Sequence, residues 1–183
     1  MNTVRSEIWI DAPVERCFLL SLSVDLHTAS MRSSKERAID GVTTGLISEG
    51  ETVTFQAWHL GFRLKHTSKI EALRPYSHFR DVMTAGVFEH FEHDHHFAAM
   101  DDGTRMRDEI RFIPPLGVLG RVATKALVRR HIAAFLMERN RGMKQVAESE
   151  DWHRYLDGQP VTIALAPAKE GWEPSSLMPR SQS

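Results

Sequence analysis

From Glu36 to Phe112 the chain reads as a long series of β-strands, and this stretch limits the fold more than any other feature. Apolar residues tend to recur at every second position, and reversals fall at Gly50, Gly61, Pro75, Gly86 and the Asp101-Asp102-Gly103 triplet. Period two sends alternate side chains to opposite faces, and glycine, proline and Asp-Gly sequences mark turns. Val4–Ile10 alternates in the same way, with Val4, Ser6, Ile8 and Ile10 on one face. Val14–Leu22 and Asp25–Ser30 read as two short helices, with Asp11 placed to cap the first and Pro13 early in its opening turn. After Pro114-Pro115 the pattern becomes helical, from about Leu116 to Ala147. Some 30 residues at about 1.5 Å each span roughly 45 Å. A curved antiparallel sheet with one wet face must bury the other, and this helix is its cover. The expected class is therefore α+β, a curved antiparallel sheet wrapped around a long C-terminal helix, with two short helices after the first strand. Residues 1–150 are expected to form one domain. Residues 151–183, Pro-rich and ending in Ser, are expected to form a flexible tail, with Val161–Leu165 a marginal strand.

Composition removes several classes. The 183 residues carry 23 Lys+Arg against 24 Asp+Glu, a net charge of −1 that lacks the basic excess of a nucleic-acid binder. That sum conceals opposites. Val87–Ile110 holds seven Asp/Glu and two Lys/Arg, whereas Pro114–Ala147 holds seven Lys/Arg and one Glu. A single cysteine, Cys17, excludes an internal disulfide framework and any cysteine-based zinc cluster. The opening residues show no apolar signal-peptide core, no segment approaches about 20 apolar residues, and a cytoplasmic location is the default expectation.

Hairpin arithmetic assigns faces, because turn position sets register. A two-residue turn at Leu60-Gly61 puts His59 opposite Phe62, Ala57 opposite Leu64 and Phe55 opposite His66. A turn at Arg74-Pro75 puts Ile70 opposite Phe79 and Ser68 opposite Asp81. A turn around Gly86 pairs Met83 with Phe91, Asp81 with His93 and Phe79 with His95. The Asp-Asp-Gly turn pairs Phe97 with Met106, His95 with Asp108, His93 with Ile110 and Phe91 with Phe112. All these residues share one face, which is apolar apart from a polar island of Ser68, Asp81, His93, His95 and Asp108. Opposed Cβ atoms lie about 5 Å apart, so Asp81–His93 and Asp108–His95 are expected as adjacent carboxylate–imidazole pairs. His90 and His96 fall on the outer face with Glu92 and Asp94.

Several stretches are similar to a known superfamily. Ile10-Asp11-Ala12-Pro13-Val14-Glu15 resembles the strand-to-helix entry of START-like, or SRPBCC, proteins, which include polyketide cyclases, lipid-transfer domains and Bet v 1-like proteins. Gly41–Thr54, Ala57–Phe62, Phe91–Phe97, Gly103–Asp108 and Pro115–Arg121 resemble a bacterial ligand-binding, cell-division-inhibitor-like branch, so the likeness runs from about Thr3 to Ala147. It implies a helix-grip fold with a cavity between sheet and long helix, and no single function.

The functional expectation is binding, for transport or sensing, of a small hydrophobic or amphipathic ligand held in that cavity. Phe55, Phe62, Leu64, Met83, Phe91 and Phe112 are candidate apolar walls, and His59, His93, His95, Asp81 and Asp108 are candidate polar anchors. No cofactor, resident metal or nucleic-acid partner is expected. One alternative is a cyclase or dehydratase in which Asp108 orients His95 as the base. Another is an interaction module using the basic stripe Arg121, Lys125 and Arg129 against an anionic membrane or acidic partner.

Overall fold

The computed structural model describes residues 1–114 and 123–159, with the side chains of 123–125 left out of the description. The strands are β1 (Asn2–Ile10), β2 (Arg37–Gly41), β3 (Thr52–His59), β4 (Phe62–Arg74), β5 (His78–Ala85), β6 (His90–Met100) and β7 (Gly103–Ile113). They form one antiparallel sheet in the order β1-β7-β6-β5-β4-β3-β2. Helices α1 (Val14–Leu22) and α2 (Val24–Ser30) follow β1, and α3 (Ala123–Ala147) packs against β1, α1 and α2. This is the α+β arrangement expected from the strand series and the long helix. Arg121 and the expected helix start near Leu116 lie outside the described residues, as does Val161–Leu165.

Three of the four expected hairpins have the expected register, although β5–β6 pairing stops before Met83 and Phe91. His59 faces Phe62, Phe79 faces His95, and His95 faces Asp108. The β4–β5 hairpin differs: Ile70 faces Asp81 and Ser68 faces Met83. Its turn is the three residues Pro75–Ser77, with Tyr76 at φ 60°, and a bulge falls between Ile70 and Ala72. The longer turn changes the pairing parity, and the extra bulge residue restores it. Ser68, Ile70 and Asp81 therefore keep the expected face while sliding two positions along it. The first helix also starts differently from expectation. Pro13 occupies the cap position with no side-chain cap bond, and the Asp11 amide donates to Glu148 Oε1 at 2.7 Å.

Two apolar cores sit under the helices. The larger gathers α1, α2 and the C-terminal end of α3 on the sheet, with the Phe18 ring meeting Phe79, Phe97 and Tyr76 edge-on. The smaller joins Val4, Ile110 and Phe112 to Ile132 and Leu136 of α3. Buried α3 positions recur every three or four residues, at Ile132, Leu136, Arg139, Asn140, Met143 and Ala147. At Gly142 a Cβ would lie 2.6 Å from Ser30 Cβ, so the missing side chain lets α3 approach α2. The packed part continues past residue 150, contrary to the expected boundary. A 3-10 turn (Glu150–Trp152) and α4 (His153–Leu156) bring Trp152, Tyr155 and Leu156 onto the main core, with Arg16 stacked 4.4 Å over the Trp152 ring. Three large side chains with apolar surface to bury explain why this segment docks.

The Leu60-Gly61 turn carries a local cost. Both residues have positive φ, 51° and 84°, as the tightest hairpin turns require. A bulky residue in the left-handed region costs roughly 1–2 kcal/mol, whereas asparagine tolerates it. Leu60→Asn is therefore expected to stabilise the protein by about 1 kcal/mol in urea denaturation. An unchanged or lower midpoint would refute the strain argument.

Candidate functional site

A cavity of about 410 Å³ separates the two cores. The concave face of β3–β6 forms one wall, and α3, through Val128, Ile132, Phe135 and Leu136, forms the other. Ser21–Val24 and His27 close the side near α1 and α2. Leu60, Phe62 and Val87 line the cavity and are also exposed, which places its mouth between the β3–β4 hairpin and the β5–β6 turn. Across that mouth His59 Nδ1 lies 3.0 Å from His131 Nε2 of α3.

Of the sequence-derived wall residues, Phe55, Phe62, Leu64 and Phe91 face the cavity, as do His59, Asp81, His93 and His95. Phe112 and Met83 do not. Phe112 is fully buried in the smaller core, where Ile132 and Leu136 of α3 and the Phe88 ring fill the space over that end of the sheet. Met83 lies beyond the last β5–β6 pair, Val82–Glu92, and its sulfur occupies the place where a Cβ of Gly86 would stand. Asp108 is also off the wall. It is fully buried behind His93 and His95.

The polar island forms a connected network. Asp108 Oδ1 takes a hydrogen bond from His93 Nε2 at 3.0 Å and lies 2.7 Å from His95 Nδ1, at an angle poor for a straight hydrogen bond. Asp108 Oδ2 accepts from Asn140 Nδ2 at 2.7 Å, and Arg139 Nη1 lies 3.6 Å from Oδ1. Asp81 Oδ2 meets His95 Nε2 at 3.1 Å and His93 Nδ1 at 3.8 Å. Its Oδ1 accepts from Ser68 Oγ at 3.0 Å, and His66 Nε2 bonds Ser68 Oγ at 2.9 Å. The pairing is thus crossed as well as direct. Each histidine lies between both carboxylates, because successive inward residues of β6 stand side by side between β5 and β7.

Burial alone would raise the Asp81 carboxyl, but the His95 hydrogen bond and the neighbouring His93 hold it well below the usual carboxylate range. The same opposition holds Asp108 well below that range, through His93 and His95. Burial pushes His93 down to about 4, with His95 adding to the effect and the Asp108 hydrogen bond opposing it. Burial also lowers His59, His66 and His131.

Among the described residues, two clusters have ligand atoms close enough to share a metal ion: Asp81, His93 and His95 inside, and His78, Asp94 and His96 on the outer face. The outer one corrects an expectation, since Asp94 is buried. Arg80 chelates it at 2.8 and 3.1 Å, Arg111 reaches it at 2.6 Å, and His78 bonds it at 2.8 Å. Arg139 and Asn140 escaped the sequence reading, as did His27 and His131. A signal for the first two was present: Arg139-Asn140 falls between Leu136 and Met143, on the apolar stripe of α3. The basic stripe is described only at Arg129, which is exposed; Arg121 and the Lys125 side chain lie outside the described set.

No protein-family model and no curated protein matches the chain. Solved structures do. The Zhui aromatase/cyclase of Streptomyces sp. R1128 superposes with a TM-score of 0.68 at 11% identity, covering 87% of this chain and 99% of that one. TTHA0849 of Thermus thermophilus gives 0.66 at 17%, covering 79% and 95%. A START superfamily protein of Mycobacterium smegmatis gives 0.62 at 11%, covering 80% and 97%. The chain shares the helix-grip fold of these structures. At such identities the likeness carries the fold alone, and the cavity must be read from its own residues. Among the described residues no helix is long and apolar enough to cross a membrane.

The depressed His93 value makes stability depend on pH. Between about 4 and the ordinary histidine value of about 6.5, the unfolded chain binds a proton there that the folded chain refuses. Stability therefore falls as pH drops through that window. The lowered Asp81 and Asp108 extend the loss below the ordinary carboxylate range. With chelator present, the urea midpoint is expected to be lower at pH 5 than at pH 7.5, and His93→Asn to reduce the difference. Equal midpoints for the parent protein would contradict this account.

Proposed function

We propose that the protein binds one small amphipathic molecule, its apolar body between sheet and α3 and its polar group against the His93–His95–Asp81 end. The observation that carries this reading is the cavity itself, about 410 Å³ with mainly apolar walls and one convergent polar cluster. Binding sites for small molecules usually fall between about 300 and 1,000 Å³ and have this division of labour. Apolar burial supplies affinity, and the few polar groups select orientation. Six histidines line the cavity, His27, His59, His66, His93, His95 and His131, so the ligand can be recognised through hydrogen bonds at several depths.

Acid–base catalysis by a His95–Asp108 dyad fits the geometry less well. Both His95 nitrogens already lie against carboxylate oxygens, Nδ1 against Asp108 and Nε2 against Asp81. A general base needs a nitrogen turned to the substrate. An interaction module acting through the basic helix has no need of a cavity, and the interior space favours the binding reading over it.

An anionic naphthalene fluorophore tests the proposal. Saturable one-to-one binding is expected in the parent protein. Ile132→Trp, which fills the cavity from α3, should weaken it at least about tenfold, a loss of about 1.4 kcal/mol. His95→Ala should change affinity with no reaction detected. Native mass spectrometry of protein from its own host should show one co-purified small molecule. Fluorophore affinity untouched by Ile132→Trp in a folded variant would remove the cavity from the function.

A further inference from the structure

The inner end of the cavity has the donor set of a mononuclear metal centre. We propose that Asp81 Oδ2, His93 Nδ1 and His95 Nε2 bind one divalent first-row transition ion, of the zinc or iron class, with its remaining positions open to the cavity. The inference goes beyond ligand binding and does not depend on it.

The ligand atoms converge. Asp81 Oδ2 is 3.1 Å from His95 Nε2 and 3.8 Å from His93 Nδ1, and all three atoms lie within 4.8 Å of one another. An ion with bonds of about 2.1 Å holds tetrahedral neighbours about 3.4 Å apart, so small side-chain shifts suffice. Two imidazoles and a carboxylate suit zinc or ferrous iron.

The second layer is what distinguishes this cluster from a chance meeting of side chains. Ligating histidines direct their other ring nitrogen to a carboxylate, which fixes the tautomer. Here His93 Nε2 hydrogen-bonds Asp108 Oδ1 at 3.0 Å, and His95 Nδ1 lies 2.7 Å from the same atom, off the straight hydrogen-bond line. An ionised carboxylate only accepts, so an N–H on His93 Nε2 leaves the lone pair of His93 Nδ1 facing Asp81, and an ion would take the place of the proton that His95 Nε2 shares with Asp81 while His95 Nδ1–H turns to Asp108. The third ligand is oriented too, since Ser68 Oγ bonds Asp81 Oδ1 and leaves Oδ2 for the ion. Asn140 holds Asp108 in turn.

A proton can lie on the His95–Asp81 line, but it leaves His93 Nδ1 facing an oxygen at 3.8 Å; an ion serves all three atoms. Charge agrees. Two carboxylates and the Arg139 guanidinium sum to −1, which a divalent ion turns to +1, favouring an anionic group on the ligand. The outer cluster fails the same comparison. Asp94 is held by Arg80 and Arg111, and two guanidinium cations at bonding distance repel a metal ion. Asp81, His93 and His95 all line the cavity, so the open positions face whatever occupies it. Three protein ligands and an open position are the pattern of a reactive rather than a structural site.

The test uses the tag-free full chain, stripped with chelator and titrated with Zn(II), Co(II) and Fe(II) under anaerobic conditions. One ion per chain is expected, and X-ray absorption of the Co(II) form should show two imidazoles with oxygen in the remaining shell. Asp81→Asn and His95→Ala should abolish stoichiometric binding. Asp108→Asn, which removes only the orienting carboxylate, should weaken it about 10–100-fold. His78→Ala and His96→Ala should leave it unchanged. Relative affinity for zinc and iron then assigns the ion. No stoichiometric binding by the parent protein overturns the proposal, as does an absorption spectrum without imidazole. Binding that survives in folded His95→Ala, or that is lost in His78→Ala, also overturns it. The parent measurements decide the matter even where a variant does not fold.

Discussion

A single buried carboxylate ties the sheet to its helix. Asp108, on β7, is fully buried and meets His93 and His95 of β6, Asn140 of α3 and, at longer range, Arg139. Such a charge in an apolar interior is strongly unfavourable unless every lone pair is met. The helix must therefore present Asn140 to it, and the β6 histidines must turn their rings toward it. That requirement sets the rotation of α3 and the orientation of both imidazoles. Apolar contacts are non-directional, whereas this polar contact, with the close approach at Gly142, admits one register of α3.

The cavity follows from the same arrangement. With α3 held by Asn140 and by the close approach at Gly142, its preceding turns stand over the sheet without filling the space beneath. Phe112 and Leu136 pack tightly on the β7 side, whereas toward β3 and β4 the helix and sheet diverge and leave a volume. The fold thus divides its interior into a packed support around Asp108 and a space for a guest. The histidines stand at the boundary between the two, anchored on the packed side and open on the other.

Much of the fold was legible because it depends on periodicity. Alternation placed Phe55, Asp81, His93 and His95 on one face, and turn position paired His95 with Asp108, because a side chain's face depends only on parity. The slide in β4–β5 was not legible: the bulge after Ile70 answers a three-residue turn, and alternation along one strand reports neither. Nor could alternation tell a wall residue from a core residue. Phe112 and Phe91 share a face, yet only Phe91 borders the cavity, since the difference lies in what stands opposite. The docking of Trp152, Tyr155 and Leu156 was equally hidden, because a short, mostly polar segment gives no periodic signal.

Local chemistry in the chain thus determined the strand series, the long covering helix and the inward face of the polar island, since each follows from the spacing of side chains along one element. Tertiary structure alone decided that Asp108 serves both histidines at once, that Arg139 and Asn140 complete its shell, and that His93, His95 and Asp81 converge on one point. Those relations join β4, β5, β6, β7 and α3, elements whose separation in space is set by packing between layers, and no spacing along the sequence encodes that distance.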